Sequence, residues 1–355
     1  MICYRCGHNV PDRALKCSNC GAELGSATRA MKIPRGSIKA LRQRRAKHES
    51  GDVPFKSGDL IAGRYEVRDT VGEGPFGIVF KTFDQELESE VAVKVLHERC
   101  VSGQEGQERF ETAVRQARRL SQPNIVRLHD SGQDRDRAFV AMQLLEGLNL
   151  RKVMGLRQEK EEPFGLEEIV PLLKQIDKAL EYCHRSGFHG DLKPENIILQ
   201  HERLKITDFF IHDALGAEAF HKASSQSVYM APERKLDAND AGPAADVYAV
   251  AVITAELLRG KPFGDDPLDA PTIHNPALPA LVDQIIERAT AQDPAERFES
   301  VGGFVEALVD IERAPVLEVG EDDLLPNDTA IYRLDDEPPS SPSADFNPLD
   351  IPTPM

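Results

Sequence analysis

The sequence predicts an α+β fold with two lobes, a small β-rich lobe followed by a larger helical lobe, and a short four-cysteine module in front of them. Three observations carry this prediction. Paired cysteines occupy residues 1–27, short β-type segments begin near residue 64, and apolar residues at helical spacing follow from residue 169. A chain of 355 residues has room for one large two-lobed domain with appendages, or for two ordinary domains.

The first 27 residues contain four of the six cysteines. They form two C-x-x-C pairs, Cys3 with Cys6 and Cys17 with Cys20, and a glycine follows each pair. Four thiolates at this spacing can surround one tetrahedral zinc ion at about 2.3 Å, and the metal would supply folding energy that so short a segment cannot obtain from a core. The alternative of two disulfides fits an intracellular chain poorly. The pattern is similar to the zinc ribbons of many microbial proteins, which implies structural Zn²⁺ and a further partner for the ribbon.

Charge is distributed unevenly along the chain. Residues 28–60 are predicted to be a linker, and within it residues 28–47 carry eight Lys or Arg and no acid. Such a run could contact nucleic acid, anionic lipid or the protein's own tail, or it could be a solvated spacer. Residues 314–355 are acidic and rich in proline, which predicts a disordered tail.

Composition also bears on location and partners. The formal net charge of −16 argues against a nucleic-acid footprint on the main body, residues 61–313. No stretch reaches the roughly 18 to 20 uncharged apolar residues of a membrane span. Residues 1–10 contain two cysteines where a signal peptide would carry its apolar run, so we expect a cytoplasmic protein.

The two lobes are predicted from different periodicities. Segments 65–71, 78–83 and 91–96 are predicted to be strands. A buried helical stripe recurs at 3.6-residue spacing through Ile169, Leu172, Leu173, Ile176, Leu180 and Cys183. Cys183 is therefore expected to serve core packing rather than chemistry. Further helices are predicted at 246–259, 278–291 and 300–311.

A glycine-rich turn lies between the first two predicted strands. Gly72, Gly74 and Gly77 fit GxGxxG, and the third predicted strand contains VAVK, which ends at Lys94. The glycine spacing alone is weak evidence, because dinucleotide-binding folds share it. Those folds open a helix at this point, whereas a strand is predicted here, so the backbone N–H groups are expected to cover phosphates. The remaining alternative is a plain hairpin with a surface lysine.

The segment FHGDLKPENIIL contains three candidate catalytic and metal-binding residues within six positions. Asp191, Lys193 and Asn196 have D-x-K-x-x-N spacing, DFF follows at Asp208, and APE follows at Ala231. In this order the motifs resemble those of the protein kinase family, over about 250 residues. The resemblance implies a bilobal protein-kinase-like fold and transfer of the γ-phosphoryl group of Mg-ATP or Mn-ATP to a protein hydroxyl. A lysine at 193 is typical of Ser/Thr kinases, and the complete set of motifs is similar to that of bacterial-type Ser/Thr kinases.

The resemblance also implies a role for each residue. Asp191 would accept or orient the proton of the substrate hydroxyl, Lys193 would stabilise the transferring phosphoryl group, and Lys94 would contact the α and β phosphates. Asn196 and Asp208 would hold Mg²⁺. The residues expected to contact the cofactor are Gly72, Gly74, Gly77, Val79, Ala92, Lys94, Met142, Leu145, Asn196 and Asp208. The resemblance further implies a Glu233–Arg297 pair, and it implies that Asp246 braces the loop around Asp191.

Four positions depart from the family's pattern. Ala113 stands where a helix glutamate should pair with Lys94, and Gly190 stands where an arginine is expected. Phe210 replaces the glycine after DF, and Gln226 replaces a threonine of the activation segment. Loss of one orienting charge pair costs on the order of 2 to 3 kcal/mol, roughly a hundredfold in rate.

Three functions remain open on the sequence. The first is a Ser/Thr protein kinase with reduced activity, which would act on a protein substrate. The second is a pseudokinase, a nucleotide-binding scaffold for a signalling partner. The third is a kinase-fold enzyme that acts on small molecules.

Overall fold

The computed structural model describes residues 16–18, 54–200, 203–237, 239–240, 242–263 and 268–313. Cys3, Cys6 and Cys20 lie outside the described residues, as do the basic run and the acidic tail. Cys17 is described and is buried. In the described ranges, no helix combines the length and the apolar character needed to cross a bilayer.

The first lobe is built on a six-stranded antiparallel sheet with the strand order β1-β2-β3-β4-β6-β5. The strands are β1 Leu60–Ile61, β2 Tyr65–Gly74, β3 Gly77–Asp84, β4 Ser89–Leu96, β5 Leu128–Asp134 and β6 Arg137–Gln143. The three predicted strands are confirmed, each slightly longer than its prediction. Their inward-facing valine, isoleucine and aromatic side chains suit a pleated, half-buried surface.

The packed lobe begins earlier than the predicted boundary at residue 61. Phe55, which falls in the predicted linker, is 1% exposed and belongs to the apolar cluster on one face of the sheet. Its ring meets the edge of the Phe80 ring at 6.2 Å, and the Arg135 guanidinium lies 4.4 Å from its centroid. An aromatic side chain of this size is stabilised by burial, so the linker prediction is corrected at its C-terminal end.

Helix α1, Gly103–Ala117, covers the other face of the sheet. Its buried residues Phe110, Ala113, Val114 and Ala117 recur every three or four positions, which forms one apolar stripe. Ala113 is therefore part of the core between the sheet and the helix.

The second lobe is helical, and most of its helices pack around one extensive apolar cluster. Ile211, Ala214, Leu215 and Phe220 instead belong to the cluster that contains the buried residues of α1. Its helices are α2 Leu150–Gln158, α3 Leu166–His184, α4 Ile211–Leu215, α5 Ala217–Ser224, α6 Pro232–Leu236, α7 Pro243–Arg259, α8 Pro271–His274, α9 Leu281–Ala289 and α10 Val301–Arg313. The predicted bilobal α+β architecture is thus confirmed, and the predicted helices correspond to α3, α7, α9 and α10.

The stripe predicted on α3 is buried at every position. Cys183, the last of its residues, is 4% exposed, and burial raises the pKa of its thiol to about 12. A thiol that stays protonated is a poor nucleophile, so the packing role predicted for Cys183 is confirmed.

Helix α7 is buried from Ala245 to Arg259 and passes through the centre of the lobe. Pro243 occupies its first turn, where a missing N–H costs nothing. Gly260 ends it with a φ of +78°, a left-handed conformation that glycine adopts without strain.

A small sheet of β7 Leu148–Asn149, β8 Ile197–Leu199 and β9 Leu204–Ile206 carries the functional loops. Strand β8 directly follows Asn196, and β9 ends two residues before Asp208. Because Ile197 pairs with Ile206, the two loops leave the sheet side by side.

Candidate active site

The register of the large sheet aligns the residues expected to surround the nucleotide. Gly72 pairs with Val79, Val79 pairs with Lys94, and Ala92 pairs with Met142. Since directly paired residues and every second residue share a face, Val79, Ala92, Lys94 and Met142 lie on the same side of the sheet. Ala92 and Met142 are buried in the apolar cluster on this side, and the half-buried Val79 and Leu145 pack against it.

The glycine-rich turn connects β2 to β3, with Gly74 paired to Gly77. A Cβ atom at Gly77 would lie 2.3 Å from the carbonyl oxygen of Val95, so only glycine fits where this turn crosses β4. The structure therefore gives a steric reason for Gly77.

Phe76, at the tip of the turn, was not predicted to matter. It is 3% exposed, and its ring stacks on Phe220 of α5 with the centroids 5.7 Å apart. The Lys193 ammonium lies 5.3 Å from the centroid of Phe76. The turn is thus in contact both with α5, in the segment that follows Asp208, and with residues 188–196, here called the catalytic loop. The sequence gives no signal for this contact, because Phe220 lies 144 positions after Phe76 in the chain.

Asp191, Lys193 and Asn196 converge in the structure. Lys193 Nζ lies 2.7 Å from Asp191 Oδ2. Asn196 Nδ2 donates to the Asp191 carbonyl oxygen at 2.8 Å and is 3.4 Å from Asp191 Oδ2. The side chain of Asp191 is 7% exposed, so its carboxylate is held by neighbours rather than by bulk water.

Thr207 connects this loop to Asp208. The Thr207 N–H donates to the Asn196 carbonyl at 2.9 Å, and His189 Nε2 lies 2.8 Å from the Thr207 carbonyl oxygen. Because Asp208 is the next residue, these two bonds place it beside the catalytic loop. Asp208 has a φ of +69°, a strained conformation for a residue with a side chain.

Asp246 holds the loop before Asp191 in place through hydrogen bonds. Its carboxylate accepts hydrogen bonds from the N–H groups of His189 at 2.8 Å and Gly190 at 2.9 Å, and His184 Nε2 lies 2.9 Å from it. Burial alone would raise the pKa of Asp246, but the hydrogen bonds and the adjacent histidines hold it below its ordinary value. Asp246 is therefore placed as the resemblance implied.

Lys94 has a different partner from the one that the family pattern predicts. Its Nζ lies 2.6 Å from Asp208 Oδ2, and both side chains are largely buried. The predicted glutamate position is Ala113, which is 4% exposed and packs in the core. Glu111 accepts a hydrogen bond from Gln107 at 3.1 Å on the solvent side of α1. As expected, it does not replace the missing carboxylate.

The two phenylalanines after Asp208 are both packed in apolar clusters. Phe209 meets the His189 ring edge-on at 4.5 Å, and Phe210 is 1% exposed in the cluster that contains Ala113. Phe210 has a φ of −111°, which any residue adopts. The conformation described here therefore does not require glycine at position 210, and Asp208 takes the unusual backbone angle.

The oxygen donors near Asp191 fit a magnesium ion bound with a nucleotide. Mg²⁺ prefers oxygen ligands and commonly combines one or two carboxylates with substrate phosphates and waters. Asn196 uses its Nδ2 group for Asp191, which leaves the amide oxygen on the opposite side. Asp208 uses only Oδ2 for Lys94. Within the described residues, no three His, Cys, Asp or Glu side chains form a metal cluster, and a metal held partly by phosphate needs none.

The site combines a glycine-rich turn above a lysine with a D-x-K-x-x-N loop and an adjacent aspartate. These are the motifs of the protein kinase family. The chain belongs to the protein kinase family, because the model of the protein kinase domain matches residues 65–309. The bacterial Ser/Thr type implied by the motifs is supported by the relatives.

The chain is similar to the serine/threonine-protein kinase PrkC of Bacillus subtilis, with 31% identity over 68% of this chain and 40% of that protein. It is similar to PknA of Mycobacterium tuberculosis, with 33% identity over 71% of this chain and 62% of that protein. The chain thus spans about two fifths to three fifths of these relatives. The crystal structure of the C20A mutant of the PknI kinase domain of M. tuberculosis matches with a TM-score of 0.63 and 29% identity, over 73% of this chain and 99% of that domain.

Proposed function

We propose that this protein binds Mg-ATP and transfers the γ-phosphoryl group to a Ser or Thr hydroxyl of a protein substrate. The observation that supports this most is the contact of Asp191 with both Lys193 and Asn196, at 2.7 and 3.4 Å. In-line phosphoryl transfer uses an acceptor carboxylate, a cation and a metal-ligand amide within hydrogen-bond reach of one another.

Each group would have one task. The Asp191 carboxylate would orient the attacking hydroxyl and accept its proton, and Lys193 would stabilise the charge on the phosphoryl oxygens. Lys94 would hold the α and β phosphates beneath the glycine-rich turn. Magnesium, when bound through Asn196 and Asp208, supplies charge neutralisation for the triphosphate.

Ala113 supports a rate below that of kinases with the complete pattern. Lys94 has no carboxylate from α1 to hold it, and it pairs with the residue proposed to bind metal. Losing one orienting charge pair lowers the rate roughly a hundredfold without removing the reaction path.

The test is transfer of labelled γ-phosphate from ATP to protein, followed by identification of the modified amino acid. We expect transfer that requires Mg²⁺ or Mn²⁺, stops on addition of EDTA and appears on Ser or Thr. Label on tyrosine alone, or on a small molecule alone, would contradict the proposal.

A scaffold without catalysis is the second candidate. The Lys94–Asp208 ion pair favours it, because a metal must compete with the ammonium for the carboxylate. A scaffold would show magnesium-dependent thermal stabilisation by ATP but no transfer. The protein substrate, any signalling partner, the cytoplasmic location and the four-part domain organisation remain proposals that rest on the sequence.

We also propose a structural zinc ion at Cys3, Cys6, Cys17 and Cys20. We expect metal analysis of protein purified without chelator to give about one zinc per chain, because the paired C-x-x-C spacing is that of tetrahedral zinc sites. Replacing Cys3 and Cys6 by serine should remove this zinc. Protein that contains no zinc, or a double variant that retains it, would contradict the site.

A further inference from the structure

The peptide unit between Gly190 and Asp191 is held at both ends by side chains. At one end, the Arg234 Nη1 group donates to the Gly190 carbonyl oxygen. At the other end, the Asp191 N–H donates to His189 Nδ1 at 3.2 Å. Because this peptide leads directly into the Asp191 side chain, its orientation sets the direction of the carboxylate.

Arg234 is enclosed rather than at the surface. It is 4% exposed, and its guanidinium lies 5.1 Å from the centroid of Phe220 and 6.0 Å from that of Phe188. Its Nε atom has no hydrogen-bond partner among the described residues. A buried cation whose hydrogen bond goes to a catalytic-loop carbonyl contributes to the position of that loop.

The preceding residue anchors the helix that carries Arg234. Glu233 accepts two hydrogen bonds from Arg297, at 2.6 and 2.8 Å, and this pair is almost fully buried. Helix α6 is therefore fixed against the large lobe, and its next side chain reaches the catalytic loop from a fixed base.

Position 190 cannot supply such a cation itself in this conformation. Gly190 has a φ of +75°, and a Cβ atom there would lie 2.8 Å from the Phe188 ring. The family pattern expects an arginine at this position, whereas this chain presents a guanidinium to the same residue from α6.

We propose that Arg234 is a positioning residue for Asp191: it fixes the Gly190–Asp191 peptide and takes the place of the arginine that is absent from position 190. This inference rests on the proposed kinase function. Arg234 itself touches neither nucleotide nor substrate in this account, so its loss should lower kcat and leave ATP binding intact.

The experiment compares wild type, R234M, R234K and the control K235M. Methionine keeps the apolar stem but no donor, whereas lysine keeps a charged donor without the planar fork. Lys235 is the next residue on α6 and is exposed. The measured quantities are kcat and KM for ATP. The rate is divided by the concentration of ATP-binding molecules, so that unfolded protein does not lower the apparent kcat.

We expect R234M to lower kcat about 100-fold with KM for ATP changed less than about twofold, because small displacements of a catalytic group have effects of this size. R234K should recover about tenfold of that loss, so that its kcat stays about tenfold below that of wild type, and K235M should match wild type. A kcat for R234M near that of wild type, a lysine variant no better than methionine, or an equal loss in K235M would overturn the inference.

Hydrogen exchange supplies a readout that does not need turnover. The backbone amides of residues 189–191 should exchange about tenfold faster in R234M than in wild type, with R234K between them. Unchanged exchange would overturn the inference.

Should R234M fail to fold, the test rests on R234K alone. A lowered kcat with faster exchange in R234K supports the inference, and wild-type values for either quantity overturn it. Absence of transfer by wild type would overturn both this inference and the proposed function, whereas active wild type with an unaffected Arg234 variant overturns only the inference.

Discussion

Replacing Asp191 by asparagine should lower the rate of phosphoryl transfer at least about 1,000-fold, within the range for losing a general base. Asparagine keeps the shape of the side chain and can still face Lys193 and Asn196, but its amide cannot accept the hydroxyl proton. ATP binding should change less than about threefold, because Asp191 is not among the proposed nucleotide contacts. The rate is measured with labelled ATP and the affinity by calorimetry.

Asp310→Asn is the matched control. Asp310 is exposed on α10, so the same chemical change there should leave transfer and unfolding temperature as in wild type. Transfer by Asp191→Asn within tenfold of wild type would show that another group accepts the proton and that Asp191 has been assigned the wrong role.

Replacing Arg297 by methionine should cost about 3 to 5 kcal/mol in the free energy of unfolding, the range for breaking a buried ion pair. The Arg297 side chain is 0% exposed and that of Glu233 is 9% exposed. Arg297 also donates to the carbonyls of Ala291 at 2.9 Å and Ala244 at 3.0 Å. The variant leaves the Glu233 carboxylate and these carbonyls without their donor, and urea unfolding measures the loss.

Two further variants separate the ion pair from general damage. Arg119→Met changes an exposed arginine and should cost less than about 0.5 kcal/mol. Adding Glu233→Gln to Arg297→Met should cost less than the sum of the two single changes, because the unpaired charge is then gone. Full additivity would mean that the two side chains do not stabilise the fold through each other.

Local patterns in the sequence predicted three of the strands and four of the longer helices. The apolar stripe of α3 needs only residues three and four positions apart, and the first strands need only alternation and glycine turns. The D-x-K-x-x-N loop is equally local, since Asp191 and Asn196 lie five positions apart and meet in the structure.

Long-range packing determined what the sequence did not predict. The short helices α4 and α5 after Asp208 are too brief for a periodic signal, and α4 packs on α1 beside Ala113. A glutamate at position 113 would place a charge in this apolar contact. The alanine at 113 is therefore compatible with the packing of α4 on α1, whereas a glutamate would not be.

The partners of single side chains were equally unpredictable. Lys94 and its partner Asp208 are 114 positions apart, and Arg234 lies 44 positions from the carbonyl it binds. No motif specifies either pair, because both depend on how the lobes fold.

The most direct test of the action of Asp191, Asn196 and Asp208 on Mg-ATP is to measure ATP binding and phosphate transfer on one preparation of the wild-type protein. We expect ATP to bind only weakly without Mg²⁺ and at least about tenfold more tightly with it, and we expect the bound nucleotide to donate labelled phosphate to a Ser or Thr hydroxyl. Binding that is independent of metal, or tight magnesium-dependent binding with no transferred phosphate, would contradict the proposal that Asp191, Asn196 and Asp208 act together on Mg-ATP.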